Sequence, residues 1–233
     1  MALYTIADLH LSLGVEKPMD IFGGKWQGYQ EKLNKNLHKL LTDDDVLVIG
    51  GDISWGINLR ESLEDFKFIE NLPGKKIILK GNHDLWWCTM NKMRNFFAEN
   101  EITTIDFLFN NFHSYENIAI CGTRGWTYEK DFKESGDEKV YKRELLRLEN
   151  SLKQAKDAGF EEIYCFLHYP PIYSNYTCVE IIDLMKKYDV SKCIYGHLHS
   201  ESLKYALTGD IDNIEYKLVS ADFLDFMPIL LKN

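Results

Sequence analysis

Residues 46–52 read Val-Leu-Val-Ile-Gly-Gly-Asp: four apolar residues, then two glycines and a carboxylate. A short run of β-branched and apolar residues closed by glycine is strand-sized, and it delivers Asp52 at the strand's carboxyl end. The same grammar recurs on both sides of it. Residues 3–7 precede Asp8 and His10, residues 76–79 precede Asn82, residues 163–167 precede His168, and residues 192–195 precede His197 and His199. A further apolar run spans 118–121.

Between these runs lie segments with helical spacing, over 29–41, 59–71, 89–99, 138–158 and 178–188. Strand and helix alternate, which predicts an α/β fold. The C-terminal part departs from that rhythm. There, 202–207, 214–219 and 227–231 read as three consecutive strands joined by polar turns, a pattern that predicts antiparallel pairing. Residues 122–136, with Trp126, Tyr128 and Phe132 among polar neighbours, are expected to form a long ordered loop. No repeat, low-complexity tract or flexible linker breaks the chain, so residues 1–233 are read as one domain.

The 233 residues are 45% hydrophobic and 27% charged, the composition of a water-soluble globular protein. No apolar stretch approaches the roughly 18 to 20 residues that cross a bilayer, and no leader precedes the first strand, so a cytoplasmic protein without a membrane partner is expected. The five cysteines include no C-x-x-C pair and are expected to be reduced. A net charge of -9 disfavours duplex nucleic acid as a partner, because binding it depends on basic residues that neutralise phosphates.

In an α/β sheet the carboxyl ends of parallel strands share one edge, so side chains far apart in sequence meet there. Asp8, His10, Asp52, Asn82, His168, His197 and His199 all follow strands. Four histidines, two aspartates and an asparagine form a mixed nitrogen and oxygen shell. Such a shell suits divalent Mn, Fe, Zn, Co or Ni better than calcium or thiolate-bound zinc. Asp8-x-His10 and His197-x-His199 each place two donors two residues apart, which suits a pair of ions.

The motifs D-x-H at 8–10, G-D at 51–52, G-N-H-D at 81–84, the isolated His168 and G-H-x-H at 196–199 together resemble the calcineurin-like metallophosphoesterase superfamily. The resemblance implies a four-layer α-β-β-α sandwich of two mixed sheets. It implies that Asp8, His10, Asp52 and His199 hold one transition-metal ion, that Asp52, Asn82, His168 and His197 hold a second, and that Asp52 bridges them. A hydroxide between the two ions would attack phosphorus in line. His83 matches the family histidine that stabilises or protonates the leaving oxygen. A small phosphomonoester or phosphodiester is the expected substrate. An inactive scaffold of the same fold and a metal-dependent nuclease are the alternatives.

The sequence also departs from one branch of that family. Where serine/threonine protein phosphatases carry an aspartate and an arginine after the G-D motif, this chain has Trp55 and Gly56. Protein phosphatase activity is therefore not expected, and phosphate must be gripped by another cation. Arg124, within the glycine-flanked Gly122-Thr-Arg-Gly-Trp126 turn, ranks ahead of Lys80 and Arg60. Asp84 is read as a supporting residue and not a ligand. Trp55, Trp86 and Trp87 follow motif loops and suit either the core or the rim of a cleft. His38 and His113 match no motif and are left out of the site.

Overall fold

Alternation along the strands decides the layering. In a computed structural model describing residues 1–17, 19–126, 137–174 and 176–233, the first half of the chain forms β1 (Leu3–Ile6), α1 (Tyr29–Leu40), β2 (Val46–Ile49), α2 (Leu63–Glu70), β3 (Lys75–Ile78), α3 (Met90–Glu99), β4 (Ile105–Phe107), β5 (His113–Tyr115) and β6 (Ile118–Thr123). The second half adds α4 (Asp137–Asp157), β7 (Glu162–Leu167), β8 (Ile172–Tyr173), β9 (Tyr176–Thr177), α5 (Val179–Lys187), β10 (Val190–Tyr195), β11 (Gly209–Ile211), β12 (Ile214–Leu218) and β13 (Ile229–Lys232). One sheet runs β13-β1-β2-β3-β4 and the other β11-β12-β10-β7-β6-β5. Each has a parallel centre; the first carries one antiparallel edge, β13 on β1, and the second carries two, β11 on β12 and β5 on β6.

Successive side chains of a strand point to opposite faces, so each parallel strand feeds two layers. Leu47, Ile49 and Ile78 pack under Leu33, Leu37, Phe66, Met93 and Phe97 of α1, α2 and α3. Cys165, Leu167, Cys193 and Tyr216 pack under Leu148, Leu152, Ile181 and Met185 of α4 and α5. Val48, Ile77, Ile120, Tyr164, Phe166 and Ile194 fill the space between the sheets. The result is the expected four layers, helix, sheet, sheet and helix. No helix among the described residues is long and apolar enough to cross a membrane.

Four expectations fail in whole or in part. Residues 202–207 are not a strand: a 3-10 turn covers Ser200–Tyr205, nucleated when Ser202 N donates to His199 O at 3.0 Å and its hydroxyl oxygen accepts His199 N at 2.8 Å. The C-terminal strands do not form an antiparallel set either. β12 lies parallel to β10, its antiparallel neighbour is β11, which the sequence presents as a turn, and β13 crosses to the other sheet. The segment 59–71 becomes helical only at Leu63, because Asn58 Oδ1 accepts the amides of Arg60 and Glu61 and holds a turn first. Gly122 and Thr123 belong to β6, and residues 127–136 of the expected loop lie outside the described residues.

That crossover closes the two sheets against each other at their carboxyl edge. Ala7 N donates to Val219 O at 2.8 Å and Ala221 N to Ala7 O at 2.9 Å, joining the end of β1 to the end of β12. Loops from both sheets therefore open onto one floor.

Candidate metal centre

Backbone hydrogen bonds set the floor before any side chain does. Asp8 N donates to Gly51 O and His10 N to Asp52 O, each at 2.9 Å, laying the loop after β1 on the loop after β2. Gly196 N donates to His168 O at 3.2 Å, which does the same for β10 and β7. Asp8 Oδ2 then accepts His197 N at 2.9 Å and ties the pairs together. Asp8, His10, Asp52 and His197 all sit at positive φ, between 46° and 72°. Left-handed backbone at non-glycine residues costs of order 1–3 kcal/mol each and persists where surrounding bonds enforce it. Gly81 is needed for a separate reason: a Cβ there would lie 2.0 Å from Asp52 Oδ1.

All seven residues nominated from the sequence meet on this floor. Asp8, His10 and His199 bring one donor atom each to within 4.8 Å of one another, and so do Asp52, His168 and His197. Asn82 Oδ1 lies 2.7 Å from His168 Nε2. Asp52 reaches both groups, with Oδ2 at 3.4 Å from His168 Nε2 and 3.8 Å from His10 Nε2. His10 Nε2 faces His199 Nε2 at 3.4 Å, and His199 Nε2 faces Asp8 Oδ1 at 3.7 Å. Asp8 Oδ1 is fully buried without a hydrogen-bond partner. An orphaned carboxylate oxygen among converging imidazole nitrogens is the arrangement a divalent cation satisfies. Each group can hold one.

The electrostatics agree. Burial pushes His10 and His197 down to about 4, so both are neutral and free to ligate. Burial opposes protonation of His168 and His199 as well. Asp52 and Asp8 nevertheless lift His168 to about 9, while Asp8 and Asp222 lift His199 to about 10. Asp52 is held far below the usual carboxylate range, its burial outweighed by His168. Protons therefore balance this cluster of carboxylates in the ion-free protein, and a metal would displace them on binding.

A supporting shell fixes the donors. Asp84 is buried beneath Asp52 and accepts the amides of Gly81 (2.7 Å), Ile53 (2.8 Å), Asp52 (3.0 Å) and Ser54 (3.3 Å) and the indole N–H of Trp86 (3.0 Å). Asp222 Oδ1 lies 2.7 Å from His199 Nδ1, and Tyr29 donates its hydroxyl to His10 O at 2.5 Å. Sequence reasoning missed Asp222 and Tyr29. The only signal for Asp222 is a carboxylate shortly after an apolar strand, which many turns share.

The remaining nominees divide. His83 is part-exposed at the mouth, with Nε2 at 3.9 Å from Asp52 Oδ2. Trp55 stacks on His10 at 4.9 Å and packs against His83 at 4.4 Å, so it lines the site. Trp86 and Trp87 are core residues, packed among Phe66, Phe97 and Phe107. Arg124 supports the site through its backbone, its carbonyl accepting the amides of His168 and Tyr169 at 3.1 and 2.9 Å. Its guanidinium faces Glu144 at 3.9 Å and lies over Trp126. Arg60 is exposed on the 56–62 turn, and Lys80 is half-buried among Arg124, Asp84 and Glu144. His38 bonds Asn34 O on an exposed helix face and His113 sits by Phe107 O, both apart from the donors.

The sequence model of the calcineurin-like phosphoesterases matches residues 1–201, a span that holds every donor named above. The chain belongs to this family. As a calcineurin-like phosphoesterase it shares its fold with solved structures at low identity. A protein of unknown function, AQ665, from Aquifex aeolicus is 17% identical, with a TM-score of 0.52 over 98% of this chain and 95% of that one. TT1561 of Thermus thermophilus is 11% identical, with a TM-score of 0.55 over 84% and 81%. No curated protein sequence matches this calcineurin-like phosphoesterase.

Proposed function

We propose that this protein hydrolyses small phosphoesters with two divalent transition-metal ions. Asp8, His10, Asp52 and His199 would hold one ion, and Asp52, Asn82, His168 and His197 the other. The observation that carries the reading is the place of Asp52, whose Oδ2 lies within 4 Å of nitrogens from His10, His168 and His83. One carboxylate oxygen thus touches both donor groups and the candidate proton donor. The ions, when bound, polarise the phosphoryl oxygens and make water acidic enough to act as nucleophile near neutral pH.

The chain's own residues do the rest. Asp84 clamps the Gly81–Asp84 turn to the Asp52 loop, so Asn82 and His83 are presented from a fixed backbone. His83, part-exposed with Nε2 3.9 Å from Asp52 Oδ2, suits a role in stabilising or protonating the departing oxygen. Its ring rests against Trp55, where protein phosphatases place a carboxylate, and that favours small phosphoesters over phosphoproteins. The net charge of -9 adds a penalty for polyanions.

Elemental analysis should find about two equivalents of transition metal in protein saturated with Mn or Zn. With Mn, p-nitrophenyl phosphate or its bis ester should turn over. Asp52→Asn should lower that rate by about a thousandfold or more together with metal content. His83→Ala should lower it by about a hundredfold or more with metal content unchanged. A folded protein that binds no metal and cleaves no phosphoester refutes the reading.

A further inference from the structure

Exposed apolar side chains lie on the loops that carry or border the metal centre. Ile21, Phe22, Ile57, Leu85 and Phe223 are 45–71% exposed, and none belongs to a core cluster. Three of them neighbour residues of the site in sequence. Ile57 is two residues beyond Trp55, Leu85 two beyond His83, and Phe223 one beyond Asp222. Ile21 and Phe22 lie in the short Asp20–Phe22 turn of the 19–26 segment, whose two ends contact the site. At one end, Trp55 Nε1 donates to Met19 Sδ at 3.0 Å. At the other, Trp26 meets His10 and His199 edge-on at 5.8 and 5.9 Å, and Lys25 donates to Asp222 O at 3.3 Å.

Isolated exposed apolar residues are ordinary on a protein surface, but a set drawn from four separate loops around one polar floor marks a contact surface. We infer that these five side chains form a collar that seats the apolar arm of the substrate, which makes the substrate an amphiphilic phosphoester. The inference rests on the phosphoesterase reading above. Continuity with the metal centre argues for this occupant: a phosphate held by the donors carries its ester arm outward past the loops that bear these residues. The net charge of -9 argues against an anionic bilayer as the occupant.

Chain length reads the collar directly. The Mn-loaded protein is assayed on methyl and octyl phosphate and on p-nitrophenyl methyl and p-nitrophenyl octyl phosphate, all below micelle formation. In whichever series turns over, kcat/KM should be about tenfold or more higher for the octyl ester, from partial burial of the added methylenes. Octylphosphonate should likewise inhibit more tightly than methylphosphonate. In the double variant Ile21→Ser, Phe22→Ser the octyl-to-methyl ratio should fall severalfold. Leu146→Ser, at an exposed apolar residue of α4 outside the collar, should keep it.

Turnover with equal efficiency for short and long chains overturns the collar and leaves the phosphoesterase reading standing. Absence of turnover on every ester sinks both. A wild-type dimer that the double variant dissociates, with no chain-length preference, assigns the surface to a second copy instead. Sedimentation with phosphatidylcholine vesicles without that preference assigns it to a membrane surface.

Discussion

At the amino end of the first parallel sheet Lys76 is wholly buried, and its ammonium group donates to the carbonyls of Leu72, Gly74 and Glu70 at 2.7, 2.9 and 3.3 Å. At the carboxyl edge of the same sheet Asp8 is equally buried, yet its Oδ1 meets no donor and faces imidazole nitrogens instead. The first arrangement is complete without any other molecule, since a buried polar group is tolerated when its hydrogen bonds are made. The second is balanced only by protons or by cations. The backbone repeats the contrast: Lys76 sits in a regular parallel ladder, while Asp8, His10, Asp52 and His197 are held in left-handed turns. Incomplete polarity combined with enforced strain separates a site from structural polarity in this molecule.

The sharpest test of that contrast is metal-linked stability. If cations complete the carboxyl edge, they bind the folded chain in preference to the unfolded one. Mn or Zn at about a thousandfold excess over its dissociation constant should then add about 4 kcal/mol, a rise in Tm on the order of 10 °C. Differential scanning calorimetry with and without metal reads this. An unchanged Tm at saturating metal would mean the edge is as self-sufficient as the surroundings of Lys76.

Asp84 lies at the boundary between the two regimes, a buried carboxylate at the site that is fully satisfied by five donors. Burial and neighbouring Asp52 push it up to about 6, so it is ionised at neutral pH. Asp84→Ala strands four backbone amides and an indole N–H, and should cost about 3 kcal/mol by urea denaturation of the metal-free protein. The metal-free comparison matters because it isolates the structural role. A loss of less than about 1 kcal/mol would place Asp84 with the incomplete groups.

The contrast also explains what the sequence disclosed. The candidate donors could be nominated because each follows a strong apolar run, and parallel topology brings those strand ends to one edge. The layers were legible for the same reason. What escaped is set by contacts that no local pattern encodes. β4 and β5 are only three residues long, and their short runs carry little periodicity. The alternation in Ser202–Leu207 suggested a strand until Ser202 captured the His199 backbone. Asp222 reaches His199 only because β12 pairs in parallel with β10 instead of folding back within a hairpin. Tyr29 finds His10 O across nineteen positions, from the first turn of α1.

The smallest expected effect concerns Lys76 and has a definite sign. Burial lowers its amine from 10.5 to about 8, so between those values the unfolded chain retains a proton that the folded chain has released. Stability contributed at this position therefore rises as pH climbs through that window and is flat below about 8, where both states are charged. Lys76→Met removes the titration while filling much of the same volume. Subtracting the variant's urea stability from that of the wild type cancels the other lysines and tyrosines that titrate there. The difference should grow in favour of the wild type by about 2 kcal/mol from pH 8 to about 10.5. A flat difference would mean the three carbonyls hold the charged ammonium as comfortably as water does. Buried polarity away from the site would then carry no residual cost, and the line drawn between the two edges of the sheet would be sharper still. A difference that falls with pH would mean the lysine gains from its charge, and the amino end could no longer serve as the neutral reference.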